Sequence, residues 1–434
     1  MTVKAKNDSS NNLIRNLIFL AIGLTIFIVT VIVTYNTFTK PFPGLNDFLS
    51  RWEGARSYWV DGLNPYSEEA SLNIQRAIYG RPSAELEDPG FFAYPFYTVF
   101  LLLPIVGISY AWASAIWMVL LEASLIIALI MLFDHFQWKP APLVLGGLIL
   151  FTLLSYFPAR GLILGQPGLL VYLLEVGVIW ALGRKHDKTA GVLLALSTLK
   201  PQMGYLIVPL LGLWGIRQKH WQFVISSIVS FVVLMIASFA FQPSWLNDWL
   251  GQVGLYTGYT QIGGPVWVIS NGLWLGINPD TGLWQVNGGY GGIIEFFIAA
   301  IFYIYMLWTW FVALIQRKQE RFMWTIVMTL TITHLVAPRT ASPHFVVFFI
   351  PLIFYLRWLT TTYRRRGASL YVLGILAFFF VQQWAHFLLT VDGEFEHPTI
   401  YLPTPILVFM LLLITRKMWW TDSHDRLQAE AVAV

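Results

Sequence analysis

The chain has 434 residues, 57% of them hydrophobic and 12% charged, with a mean hydropathy of +0.63 and a formal net charge of +4. Soluble chains carry about twice that charged share, so a soluble globular fold is excluded. There are no cysteines, which rules out disulfides, thiolate catalysis and cysteine-ligated metals. The basic residues stand in small clusters between apolar runs, so no nucleic-acid partner is needed to explain them.

Residues 16–39 carry no charge. This run is long enough to cross a hydrocarbon core, which needs ~20 residues. It is far longer than the apolar core of a cleavable signal and has no small-residue cleavage site after it, so it reads as a retained first span. The basic clusters orient the chain across the membrane. They are Lys4, Lys6 and Arg15; Arg184, Lys185 and Lys188; Arg217 and Lys219; Arg317, Lys318 and Arg321; Arg364, Arg365 and Arg366; and Arg416 with Lys417. Placed in the cytoplasm together with both termini, they predict spans at 221–241, 292–316, 322–337, 344–361, 368–389 and 399–415 in a multi-pass protein of the cell membrane. The exterior loops are then 36–92, a short turn near 158–166, a Trp/Gly-rich stretch 243–290, and the segments 338–343 and 390–398, with 418–434 a cytoplasmic tail.

Two stretches do not fit as simple spans. Residues 93–107 and 110–133 read as two helices split at Pro104–Gly107, and the charge pattern leaves two alternatives: the shorter one is only partly inserted, or Lys139 lies on the other side of the membrane. Residues 189–216 are interrupted at Lys200-Pro201. Proline removes a helical hydrogen bond and disfavours helix at the residue before it, so two half-helices are expected. Broken backbone at depth is tolerated only where protein or a watery cavity surrounds it. The expectation is an all-α polytopic membrane protein, a single membrane domain over 1–434 with about ten to twelve transmembrane or partly inserted helices.

In the first exterior loop, Phe48, Trp52, Ala55 and Trp59 recur at helical spacing, with Asp47, Arg51, Glu53 and Arg56 on other faces. That pattern predicts an amphipathic helix in the membrane interface, ended by Asp61-Gly62. Asp47 stands at its start. It is either a helix N-cap or i,i+4 partner of Arg51, or a carboxylate held at the water–lipid boundary as a base.

The run from Asp47 to Tyr66, ending Gly62-Leu63-Asn64-Pro65-Tyr66, resembles the first loop of glycosyltransferase family 87. These are GT-C membrane transferases that use polyprenyl-phosphate sugars and include mycobacterial mannosyltransferases. Matches continue in order through Phe92-Ala93-Tyr94-Pro95, Gly165-Gln166-Pro167-Gly168, Leu199-Lys200-Pro201, Ser270-Asn271-Gly272-Leu273, Ala337-Pro338-Arg339 and Ser342-Pro343-His344, covering about residues 40 to 350. The chain departs from the family where Phe96 replaces a second proline, where Gly168 replaces a common Asn, and where His344 stands alone instead of in a pair.

The resemblance implies a GT-C-like bundle that moves a hexose, mannose first, from a polyprenyl phosphate to a lipid or glycan hydroxyl on the outer face, with inversion. Such a step needs a base for the acceptor hydroxyl, cations at the departing phosphate and a surface for the sugar ring. Asp47 stands at the family's catalytic position, with His344 as a second catalytic candidate. Arg339, Lys200 and Arg160 are the donor-phosphate candidates, since guanidinium and ammonium groups match phosphate oxygens. For Arg160 the competing reading is snorkelling to head groups. A lysine inside an apolar run, like Lys200, is functional by default. Gln166, Asn271, Tyr66, Trp267 and His334 are the candidate sugar and acceptor contacts. For the tryptophans the competing reading is an interfacial belt, and for a lone intramembrane histidine a structural donor. No metal or other cofactor is expected, because a monophosphate donor leaves one phosphate to neutralise and no acidic cluster has ligand spacing. The expected partners are the sugar donor, the acceptor and membrane lipids. A lipid-linked glycan ligase or polymerase is the near alternative, and a transporter or flippase the distant one; inverted repeats would mark the latter, and none is visible.

Overall fold

The computed structural model describes residues 2–42, 47–84, 87–259, 263–271, 275–277, 284–286, 290–316, 319–337, 340–362, 367–391 and 396–422. The first helices are α1 (Thr2–Thr34, extended by a π turn to Thr39), α2 (Phe48–Trp59), α3 (Glu68–Tyr79), α4 (Thr98–Leu102), α5 (Tyr110–His135), α6 (Pro142–Leu154) and α7 (Tyr156–Leu164). Next come α8 (Gly168–Gly183), α9 (Asp187–Ser197), α10 (Pro201–Gly204), α11 (Ile207–Arg217), α12 (Trp221–Phe241), α13 (Trp245–Tyr259) and α14 (Pro265–Ser270). The last are α15 (Gly291–Trp310), α16 (Phe322–Val336), α17 (Phe349–Thr362), α18 (Ala368–Thr390), α19 (Pro403–Ile414) and α20 (Arg416–Asp422). Strands β1 (Leu275–Ile277) and β2 (Trp284–Val286) form a small antiparallel hairpin in the Trp/Gly-rich stretch.

Among the described residues, six helical segments are long and apolar enough to span a bilayer: Arg15–Thr39, Tyr110–His135, Trp221–Phe241, Gly291–Ile315, Ser342–Thr362 and Ala368–Thr390. Two bent pairs add up to two more, α6 with α7 at 46°, and Pro398–Ile414 with α20 at 63°. The protein is therefore a helical polytopic membrane protein, as its composition predicts. Helix α5 and the segment Ser342–Thr362 are inner spans, with half or more of their apolar stretch buried, whereas α1, α12 and α18 leave most of theirs exposed. Exposed leucine, isoleucine and phenylalanine in such numbers mark surfaces solvated by hydrocarbon. Helix α9 crosses α12 closely because Gly191 lacks a side chain: a Cβ there would lie 2.5 Å from the Phe223 carbonyl. Small residues at crossings let membrane helices approach to backbone contact.

The helix directions divide the molecule into two ends. Helix α5 begins beside Phe48 and Trp52, whose rings contact Tyr110, and ends where Asp134 pairs with Arg184 at the end of α8. Helix α16 starts after Arg321, near Trp214 of α11 at 4.8 Å between rings, and runs to His334. One end thus gathers α2, the start of α8 and the His334–His344 region. The other gathers Arg184, Arg217, Arg321, Arg357 and Arg416.

Several expectations change. The turn near 158–166 is mostly helix α7, and the chain reverses at Gly165, whose φ of +64° is in the left-handed region open to glycine. Residues 93–107 hold only α4 and a single 3-10 turn at Leu103–Ile105, so no span forms there. The break at Lys200 is present, with α9 ending at Ser197 and the chain re-entering helix at Pro201. The amphipathic helix forms as α2, with Phe48, Trp52 and Ala55 buried and the Trp59 indole donating to the Val99 carbonyl at 2.9 Å. Arg317, Lys318, Arg364 to Arg366 and most of the 418–434 tail lie outside the described residues.

Candidate active site

Asp47 occupies the N-cap position of α2, yet its side chain caps nothing. Its exposed carboxylate instead accepts a hydrogen bond from Gln166 Nε2, across 119 residues of sequence. Arg51 does not pair with that carboxylate either. One of its guanidinium nitrogens donates to the Asp47 backbone carbonyl, the other to the Tyr94 hydroxyl at 2.9 Å, and the guanidinium carbon sits 4.7 Å from the Tyr94 ring centroid. The Asp47 carboxylate is therefore held in place with an open side.

Gln166 follows the left-handed Gly165, whose carbonyl accepts from the Trp117 indole at 2.9 Å. Its amide bridges two elements: Nε2 faces Asp47, and Oε1 accepts from Lys200 Nζ at 2.8 Å. Only this orientation of the amide satisfies both neighbours, because an ammonium only donates and a carboxylate only accepts. Lys200 is buried, with its backbone extended as a residue before proline requires. The break is anchored by the Tyr97 hydroxyl, which donates to the Thr198 carbonyl at 2.9 Å. Among the described residues, Lys200 makes no ion pair within 4 Å, leaving ammonium hydrogens for an incoming anion.

His344 lies in the 3-10 turn Ser342–Phe348. Its Nδ1 accepts from the Ala341 backbone N–H at 3.2 Å and lies 3.0 Å from Thr340 Oγ1. The hydrogen is thereby assigned to Nε2, which is buried with no partner among the described residues. Gly168 makes room for this ring: a Cβ at 168 would lie 2.8 Å from His344 Cδ2 and 3.3 Å from Met203 Sδ. That contact gives a physical reason for a glycine at 168. His334 is fully buried, its ring 6.1 Å from that of His344 and edge-on to Phe345 and Phe348. Neither of its nitrogens has a partner among the described residues.

The other candidates sit further out. Arg160 faces Glu396 at 3.4 Å. Asn271 donates to Ser270 Oγ at 3.0 Å and to Glu295 at 3.1 Å, tying α14 to α15. Trp267 is buried on α14, which is seated on the end of α16 by the Gly264 N–H donating to the Ala337 carbonyl at 3.0 Å. Tyr66 donates to the Tyr94 carbonyl at 2.7 Å and so supports the residue that holds Arg51. Arg339 lies outside the described residues.

Three charged residues gain significance that their sequence positions did not signal. Arg51 lies one helical turn from Asp47 and borders an apolar cleft walled by Phe48, Leu101, Leu102, Trp117, Leu170 and Leu199. Asp88 has its carboxyl pushed up by loss of surrounding water, with the Gly90 N–H opposing and the Asp47 charge adding to the rise. Glu396 accepts from Ser342 Oγ at 2.5 Å, from the Tyr401 hydroxyl at 3.0 Å and from Tyr156, fixing the segment that carries His344. By sequence Glu396 reads only as an exterior charge, whereas in the fold α7 and the 342–348 turn meet on it along with its own segment.

The model of glycosyltransferase family 87 matches residues 92–338, a stretch that holds Tyr94, Gln166, Lys200, Asn271 and His334, while Asp47 and His344 flank it. No curated protein matches the chain. With more than half of its length matched and a helical membrane architecture, the chain belongs to glycosyltransferase family 87 and is a membrane glycosyltransferase.

Proposed function

We propose that the protein transfers a hexose, with mannose the first candidate, from a polyprenyl-phosphate donor to a hydroxyl of a lipid or glycan acceptor. The reading rests on one observation: Gln166 joins an accessible carboxylate, Asp47, to a buried ammonium, Lys200, next to an apolar cleft. Asp47 takes the proton as the acceptor oxygen attacks the anomeric carbon from the face opposite the phosphate. The bond from that carbon to the phosphate oxygen breaks, its electron pair leaves with the phosphate, and the configuration inverts. Lys200, with Arg51 and the Nε2 hydrogen of His344, offsets the growing phosphate charge; fixed donors aimed at developing charge lower the barrier. Arg339 belongs to the same phosphate group of residues by its place in the chain. The distribution of basic clusters supports an orientation with the termini in the cytoplasm and the Asp47 end outside.

The test uses the full chain reconstituted in vesicles with polyprenyl-phosphate mannose or glucose and a lipid-extract acceptor. Wild type transfers sugar, and Asp47→Asn lowers the rate by roughly 10²- to 10⁴-fold, the range for loss of a positioned base. Transfer by Asp47→Asn at the wild-type rate refutes the base assignment, and uridine- or guanosine-diphosphate sugars as the only working donors refute the polyprenyl reading.

A further inference from the structure

At the opposite end of α16 lies a second cavity, of about 260 Å³, between the end of α15, the start of α16 and the α19–α20 bend. Its walls include Trp308, Thr309, Arg321, Trp324, Arg416 and Trp420. Arg321 and His334 are thirteen residues apart at ~1.5 Å rise per residue, so roughly 20 Å separates this cavity from the candidate active site.

The polar chemistry of the cavity is one-sided. The Arg321 guanidinium carbon lies 4.1 Å from the Trp420 ring centroid, and that of Arg416 lies 5.7 Å from the same ring. Arg321 Nε and Trp420 Nε1 are both shielded from solvent with no partner among the described residues. The Trp324 indole is already engaged with the Leu412 carbonyl at 2.9 Å. The hydroxyls of Thr325 and Thr309 donate to carbonyls of their own chain segments, at 3.0 and 2.7 Å. Among the described residues, no acidic side chain lines the cavity. Elsewhere the arginines near this end find carboxylates, as Arg184 does in Asp134 and Arg357 in Asp422. Arg321 and Arg416 have none within 4 Å among the described residues. Two cations and two orphan N–H donors around one ring call for a ligand that is anionic and only accepts. A phosphodiester meets both conditions.

The surroundings of the cavity favour a lipid over a free anion. Ile301, Ile304, Leu307 and Trp308 of the α15 span are each exposed by more than half and form an apolar strip leading from it toward the other end of that helix. Basic pockets between helices at one membrane face are suited to anionic head groups. We propose that this cavity binds the phosphodiester head group of an anionic glycerophospholipid, with the acyl chains lying along the exposed strip of α15.

Native mass spectrometry of the full chain in mild detergent, titrated with phosphatidylglycerol or phosphatidylcholine, tests this. Wild type is expected to retain one phosphatidylglycerol at concentrations where phosphatidylcholine is lost. The double variant Arg321→Gln/Arg416→Gln should lower that occupancy at least tenfold, and Arg416→Gln alone, an exposed position tolerant of change, should lower it by less. Arg217→Gln, on the same end but outside the cavity, should leave it unchanged, as should added inorganic phosphate. Equal retention of the two lipids, wild-type occupancy in the double variant, or equal loss in Arg217→Gln overturns the proposal. Binding of inorganic phosphate with no phosphatidylglycerol retained overturns it in favour of a soluble anion. None of these readouts uses sugar transfer, so they stand or fall apart from the proposed activity.

Discussion

Replacing Gln166 by leucine removes the acceptor that Gln166 Oε1 offers the buried Lys200 ammonium, while Lys200→Met removes the ammonium and leaves Gln166 Oε1 without its donor. A hydrogen bond to a charged group contributes roughly 1.5–3 kcal/mol, and an orphaned buried polar group costs about 1–3 kcal/mol. Gln166→Leu is therefore expected to destabilise strongly. Lys200→Met should cost less, because losing the ammonium also relieves its desolvation. In the double variant the two apolar side chains face each other with no orphan left. The cycle should then show a coupling of about 1.5–3 kcal/mol, or roughly ten- to a hundredfold in the folding equilibrium. Chemical unfolding of the four proteins in lipid–detergent micelles measures it. Single effects that simply add, within ~0.5 kcal/mol, refute the bridge, since independent sites behave that way. The contact from Gln166 to Asp47 enters little into this cycle because the Asp47 carboxylate is exposed and water replaces the lost donor.

Gly168→Ala places a Cβ 2.8 Å from His344 Cδ2, and overpacking of this kind costs roughly 1–3 kcal/mol, more than the helix propensity alanine adds. Its Tm should fall, and His344→Ala in the same chain should restore it; a Gly168→Ala variant as stable as wild type would show that the ring is not confined there. Glu396→Gln turns a carboxylate that accepts from Ser342, Tyr401 and Tyr156 into an amide with its own donors, so one hydroxyl loses its acceptor. A loss of about 1–3 kcal/mol is expected, with faster proteolysis around 340–348 as the readout, and unchanged cleavage would count against the clamp. In the first loop the Arg81 guanidinium holds the Glu87 carboxyl down to about 2, from an ordinary 4.5. A depressed carboxyl stabilises above its unfolded pKa and loses that contribution as pH falls toward the folded value. Protection of the Ala84 N–H, bound to Glu87 at 2.8 Å, measured as exchange relative to its intrinsic rate at each pH, should fall as pH drops from about 4.5 toward 2 in wild type and show no such step in Glu87→Gln.

Composition and charge placement by themselves determined that this is a helical membrane protein and located its main spans. An uncharged run long enough to cross hydrocarbon has one low-energy form there, because a backbone without water must satisfy itself within a helix. The proline at 201 likewise located the break beside Lys200, since it acts on its own neighbours. The amphipathic spacing of Phe48, Trp52 and Ala55 specified α2 and its buried face in the same local way. Beyond local reading lay the question of which side chains meet. Asp47 looked like a helix cap or an Arg51 partner by spacing, yet its carboxylate reaches Gln166, and Gln166 reaches Lys200, through the packing of α2, the α7–α8 reversal and the broken α9–α10 segment. Glu396 and Arg160, far apart in the chain, pair for the same reason. Hydropathy and spacing report how each segment meets its solvent. A site assembled from several segments depends on crossing geometry, which follows from side-chain volumes such as the missing ones at Gly168 and Gly191, and only the folded chain decides it.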